Sequence, residues 1–286
     1  MDNYVIVSDS TLDLSQDMIE DLQVEVIPMK YIINDKICID GEHSSKEFYD
    51  ELRKGISVST TQINTEEFFE FFSKYLSQGK DVLYIGFSSG LSGTYNNAVN
   101  ASKQLQEIYP KNKVIVVDSV SASVGQGLLI YYAALKKKSG YSLEELEQWL
   151  IENRTKLCHW FTVDDLHHLK RGGRISATVA VIGSVLNVKP LLFVDNDGKL
   201  KISEKIRGRK KTLDLMVSKM RNSYLNVDNL AISICHGDCL EDAEYVAKKI
   251  KDEFSIENII IRPMGSIIGA HTGPGTLGLG FLGNSR

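Results

Sequence analysis

The 286-residue chain is 43% hydrophobic, enough for a large buried core and, at this length, for one big or two ordinary domains, of which two is the expectation. With 33 Lys and Arg against 37 Asp and Glu its formal charge is −4, which excludes a general pull toward nucleic acid or anionic lipid and leaves any basic site local. Four scattered cysteines suit reduced thiols better than a disulfide framework and no apolar run reaches the roughly 18 residues of a membrane span; with Met1-Asp2-Asn3 leading directly into a strand, a soluble, cytoplasmic protein is expected.

In the first half, β-rich apolar runs at residues 4–7, 24–27, 82–87 and 114–117 alternate with helix-like stretches. Residues 66–76 follow Thr65 as a candidate N-cap, residues 94–108 and 121–138 also read as helices, and Ser142 with Glu145 forms a capping box for another. Such alternation predicts a mostly parallel sheet flanked by helices, with ligands bound beyond the carboxyl ends of its strands. Ser8-Asp9-Ser10-Thr11, Ser88 to Thr94 and Asp118-Ser119 all fall at such ends.

The second half reads as an α+β domain. A helical piece containing Asp164, Asp165, Leu166 and Leu169 is stopped by Gly172-Gly173, and residues 179–188 carry no charge until Lys189. Residues 191–194 and 200–206 look like strands joined by the turn Asn196-Asp197-Gly198, with helices at 210–222 and 240–254 and strands at 230–234 and 259–262. The domains are expected at 1–155 and 156–286, with no low-complexity linker between them.

Several constellations could carry chemistry. The run Ser88-Ser89-Gly90-Leu91-Ser92-Gly93-Thr94, between a strand and a helix, is expected to aim free backbone N–H groups and hydroxyls at an anion. Gly86-Phe87-Ser88-Ser89-Gly90 also fits the nucleophile elbow of a serine hydrolase with Ser88 as nucleophile and His271 downstream, although Leu91-Ser92-Gly93 delays the helix and no aspartate stands out as third member. Ser59-Thr60-Thr61-Gln62 supplies a second cluster of donors, and His271 lies among four glycines between Gly265 and Gly275. Cys235-His236-Gly237-Asp238-Cys239 lacks a second ligand pair for a metal, so no metal is expected and Cys235 reads as a buried strand residue. Lys205, Arg207, Arg209, Lys210 and Lys211 form a basic run, either a solvated face or a receiver of phosphate or of an acidic partner; Arg174 reads as an ion-pair residue or a ligand contact.

Taken together, Ser8-Asp9-Ser10-Thr11, Thr60-Thr61-Gln62, Ser88 to Tyr95, Asp118-Ser119, Arg171-Gly172-Gly173-Arg174-Ile175, Leu186-Asn187-Val188-Lys189-Pro190 and His271-Thr272-Gly273-Pro274-Gly275 resemble the motifs of the DegV family over essentially the whole chain. The resemblance implies a two-domain, non-catalytic carrier similar to the FakB subunits of bacterial fatty acid kinase. Such a protein binds a long-chain fatty acid in an interdomain tunnel and presents its carboxylate to the kinase for acyl-phosphate formation. It implies no cofactor, no nucleic-acid partner and at most transient membrane contact. Position by position it makes Thr60, Ser92 and His271 the carboxylate contacts and Arg207 a contact for phosphate or kinase. Ile63 stands where the family usually has proline, and Thr61 where it has serine, so a looser turn at Thr60 is expected. The uncharged stretch 179–188 is expected to wall the tunnel.

Overall fold

The computed structural model describes residues 3–176, 187–225 and 231–286. The chain opens with β1 (Tyr4–Asp9), a 3-10 turn (Ser10–Leu12), α1 (Gln16–Leu22) and β2 (Val24–Ile27). Next come β3 (Lys30–Ile33), β4 (Lys36–Ile39), α2 (Ser45–Arg53), β5 (Val58–Thr60) and α3 (Thr65–Leu76). Strand β6 (Asp81–Gly86), α4 (Thr94–Ile108), β7 (Val114–Asp118), α5 (Ser123–Lys138) and α6 (Leu143–Asn153) complete the first half. The second half contains β8 (Leu157–Thr162), α7 (His167–Arg171), β9 (Val188–Val194), β10 (Leu200–Arg207) and α8 (Arg209–Ser223). It ends with β11 (Ile232–His236), α9 (Leu240–Phe254), β12 (Ile259–Pro263), α10 (Ser266–Thr272) and β13 (Leu277–Leu282).

Four strands form a wholly parallel sheet in the order β2-β1-β6-β7, as the alternating pattern requires. The β1 and β6 strands read as near-continuous apolar runs because helices cover both faces: Phe68 and Phe72 pack on Tyr84 from one side, and Leu128, Leu129 and Ala133 meet Ile6 and Leu83 from the other. The second half builds a six-stranded mixed sheet, β10-β9-β8-β13-β11-β12, in which only β11 and β12 run parallel. The expected strand-turn-strand pair is the hairpin β9-β10. The fold is thus an α/β architecture with an N-terminal parallel sheet and a second sheet behind it. Among the described residues no helix is long and apolar enough to cross a membrane.

Three features depart from the sequence reading. A third, three-stranded sheet, β4-β3-β5, occupies residues left unread between β2 and α3; its hairpin turns at Asn34-Asp35, both left-handed (φ 49° and 59°), which asparagine and aspartate tolerate. Helix α3 is capped by Asn64, whose side chain accepts from Glu67 N, rather than by Thr65. The glycine-rich segment around His271, to which no element was assigned, forms α10, and β13 follows it into the centre of the six-stranded sheet. Glycines at 278 and 280 permit that placement, since a Cβ on Gly280 would lie 3.0 Å from the Val124 carbonyl oxygen of α5. The expected tunnel wall at 179–188 lies, but for its last two residues, outside the described residues, as does Leu230.

Candidate functional site

Thr60 ends β5, where register opposite Tyr31 of β3 holds its backbone. The turn after it is not loose. Ile63 is buried in the core, and its carbonyl oxygen accepts from Asn97 Nδ2 at 2.8 Å, so an apolar anchor serves where the family uses proline. His271 lies in the last turn of α10, a helix whose buried face packs on β5, β3 and α2. The two meet across 211 positions of sequence: Thr60 Oγ1 and His271 Nε2 share a hydrogen bond of 2.8 Å.

The imidazole of His271 is held from its other side by Gly172, where even a methyl group would come within 2.2 Å of Nδ1. Burial first, and then the guanidiniums of Arg174 and Arg171, push His271 down to about 4. The ring is therefore neutral near pH 7. With its proton on Nε2 it donates to Thr60, leaving the threonine hydroxyl hydrogen for an incoming acceptor. Gly172 has φ −72° and any residue could adopt it; the left-handed residue that turns the chain out of α7 is Gly173, at φ +74°.

Ser92 lies in the loop after β6. Its Oγ is 3.0 Å from Thr94 Oγ1 and accepts from Thr94 N at 3.3 Å. The residues on either side tie it to the same place: Arg174 Nε donates to the Leu91 carbonyl at 3.1 Å, and the Gln62 side chain lies directly against Gly93. No direct hydrogen bond joins Ser92 to Thr60 or His271 among the described residues. Arg207, at the exposed end of β10, is not bonded to the other three.

Most of the backbone amides before the helix are already engaged. Asp9 Oδ2 takes Phe87 N at 2.9 Å, Ser121 O takes Ser88 N, Asp118 takes Ser89 N at 3.2 Å, Ser88 Oγ takes Gly90 N, and Ser88 O takes Leu91 N and Ser92 N. Aspartates at the ends of the neighbouring parallel strands thus take two of these donors, Phe87 N and Ser89 N. Ser88 is likewise engaged: it is fully buried, and its hydroxyl donates to Gly198 O at 2.9 Å while accepting from Gly90 N. Among the described residues no histidine bonds to it, so the geometry of an activated nucleophile is missing.

Behind His271 runs a cavity walled by Phe87, Leu91, Phe161, Leu169, Met264 and Ile268, with His271 and Arg174 in its lining. Its volume is about 50 Å³, and nearly all of the surface it exposes is apolar. That combination describes a narrow apolar slot. Arg174 is the residue whose role the sequence left open. Burial lowers its affinity for a proton, it donates to the carbonyls of Leu91 and Gly172, and no carboxylate pairs with it among the described residues. A partly buried guanidinium with no carboxylate partner among the described residues and a neutral imidazole bonded to Thr60 both line the apolar slot, an arrangement suited to an amphipathic anion.

That class of site agrees with what the chain is similar to. The profile described as "Uncharacterised protein, DegV family COG1307" matches residues 3–284, and the chain belongs to the DegV family. A DegV domain-containing protein of Clostridium perfringens is 45% identical over 293 residues, covering 100% of this chain and 99% of that one. Among solved structures, a fatty-acid-binding DegV family protein from Thermus thermophilus superposes with a TM-score of 0.88 at 28% identity, over 98% of this chain and 99% of that one. A DegV described as a fatty acid binding protein from Bacillus subtilis gives 0.85 at 29% identity, over 99% of this chain and 100% of that one.

Proposed function

We propose that this protein is a non-catalytic, cytoplasmic carrier that holds a long-chain fatty acid between its 1–155 and 156–286 domains and presents the carboxylate to a fatty acid kinase. The carboxylate is held by Thr60, Ser92 and His271, and Arg207 meets the phosphate or the kinase. The observation that carries this reading is the bond between Thr60 and His271, whose ring lines an apolar slot together with Arg174, a guanidinium with no carboxylate partner among the described residues. The relatives whose structures are described as fatty-acid-binding proteins support the same ligand.

The energetics divide the labour. Each buried CH₂ of a tail contributes about 0.8 kcal/mol, whereas each charge-assisted hydrogen bond to the head contributes about 1.5–3 kcal/mol. The tail therefore supplies most of the affinity and the head contacts set which end faces out. Orientation is what a kinase needs. Reconstitution with ATP, a fatty acid and the catalytic subunit of a fatty acid kinase tests the reading. Acyl phosphate forms only when this protein is added, and Thr60→Ala with Ser92→Ala lowers that turnover more than it lowers tail affinity. Unchanged turnover in the double variant removes the assigned head contacts.

A further inference from the structure

The three-stranded sheet has a hold on both members of the Thr60–His271 pair. Thr60 of β5, Tyr31 of β3 and Cys38 of β4 lie in one row across it. Asp40 follows two residues after Cys38, on the same face, and its amide donates to Met29 O at 2.9 Å, which carries the ladder one rung beyond β4. From there Asp40 Oδ1 accepts from Ser266 N, the first amide of α10, at 3.0 Å. Beside it Asp13 Oδ1 accepts from Gly265 N at 2.9 Å. Gly265 is the N-cap of α10 and has no side chain to satisfy these amides, so two carboxyls from the first half of the chain do so instead. The fit is close: a Cβ on Gly265 would lie 2.8 Å from Asp13 Oδ1 and 3.5 Å from both Asp40 oxygens.

Resting on the carrier reading above, we propose that Asp40 is a positioning residue for the head site: by tying the first amide of α10 to the sheet that carries Thr60, it sets His271 at bonding distance from Thr60. Ser266 and His271 stand five residues apart, about 7.5 Å of helix, so a grip on the first fixes the second. The 2.8 Å bond between Thr60 and His271 thus joins two residues placed by one sheet, Thr60 through its own backbone ladder and His271 through Asp40. Burial, opposed by the hydroxyls of Ser10 and Ser266 and the amides of Ser266 and Gly41, holds the Asp40 carboxyl above the ordinary carboxylate range, which makes the uncharged amide of asparagine a close stand-in.

The test measures affinity for palmitate and for hexadecanol, which share a tail and differ in the head, on wild type, Asp40→Ala, Asp40→Asn and Gly265→Ala. Asp40→Ala should lower the preference for palmitate about tenfold, the worth of one charge-assisted head contact, while hexadecanol binds as it does to wild type. Asp40→Asn, which keeps an oxygen for Ser266 N, should restore the preference. Gly265 has φ −69°, open to any residue, and its replacement by alanine crowds the same two carboxyls; Gly265→Ala should therefore act like Asp40→Ala, and it decides the outcome if Asp40→Ala does not fold. A preference unchanged in the alanine variants, an equal loss of both ligands, or no rescue by Asp40→Asn overturns the proposal and leaves the carrier reading standing. Wild type that binds neither ligand, or both equally, overturns the carrier reading and the proposal with it.

Discussion

Gly172 and Gly173 are adjacent, and they separate binding from stability. At Gly172, φ −72° suits any residue, so alanine there costs no backbone strain and gains up to about 1 kcal/mol by restricting the unfolded chain. Its methyl carbon would stand 2.2 Å from His271 Nδ1, 3.1 Å from Cε1 and 3.3 Å from Cγ, where ordinary contact begins near 3.4 Å. The ring has to move by about 1 Å, further than the 2.8 Å bond to Thr60 survives. Losing one charge-assisted contact to the carboxylate costs about 1.5–3 kcal/mol, or about tenfold to a hundredfold in affinity. Gly173 is the mirror case: nothing lies within 4 Å, but φ is +74°, so Gly173→Ala costs about 1 kcal/mol of stability and spares the site. Displacement of a fluorescent fatty acid and thermal melting, run on both variants, check the pair. Gly172→Ala should bind weakly and melt normally, and Gly173→Ala should bind normally and melt early. Equal behaviour in the two variants, or wild-type binding by Gly172→Ala, would refute the assignment of His271 to the head group.

Three further outcomes follow from the same geometry. Because Asp13 keeps its proton up to about pH 7 in the fold but releases it near 3.8 when unfolded, it subtracts stability progressively as pH rises from about 4 to 7. Asp13→Asn should then match wild type near pH 4 and exceed it at pH 8, by at most about 4 kcal/mol, in denaturant titrations; equal stability at both pH values would contradict a burial penalty at this carboxyl. His271 has the opposite sign: the unfolded chain takes up its proton near 6.5 and the fold only near 4, so its contribution is complete above 6.5 and fades as pH falls toward 4. His271→Gln should flatten the melting temperature across that window, and an undiminished acid loss would assign it elsewhere. Ser88→Ala should lose about 1–3 kcal/mol through the abandoned Gly198 carbonyl, and wild type should show no fluorophosphonate labelling for it to abolish; labelling that Ser88→Ala abolishes would restore the hydrolase.

What could be read in the chain was what depends on neighbours in sequence. The strands of the parallel sheet, the Ser142 capping box, the β9-β10 hairpin and α4 are written in local apolar runs and caps, and the structure has them where those signals stand. The three-stranded sheet was legible too, through Asn34-Asp35 between Tyr31-Ile32-Ile33 and Ile37-Cys38-Ile39, but strands of three and four residues give periodicity little room. Strand β13 was hidden because its Leu-Gly alternation looks like a turn until α5 is known to press on the glycines. At the site, the residue types were visible and their bonding was not. Thr60 and His271 meet only through packing, Asp9 and Asp118 from other strands take the Phe87 and Ser89 amides, and Gly172, besides ending α7, makes room for His271.

The central claim is that an apolar slot in this chain holds a fatty acid by its tail, with side chains at one end gripping the head. Denaturing extraction of the purified protein followed by mass spectrometry tests it most directly. The account predicts a long-chain fatty acid released at close to one per chain, or taken up at that ratio when an emptied sample is incubated with one. Repeated preparations that release none and take up none would contradict it.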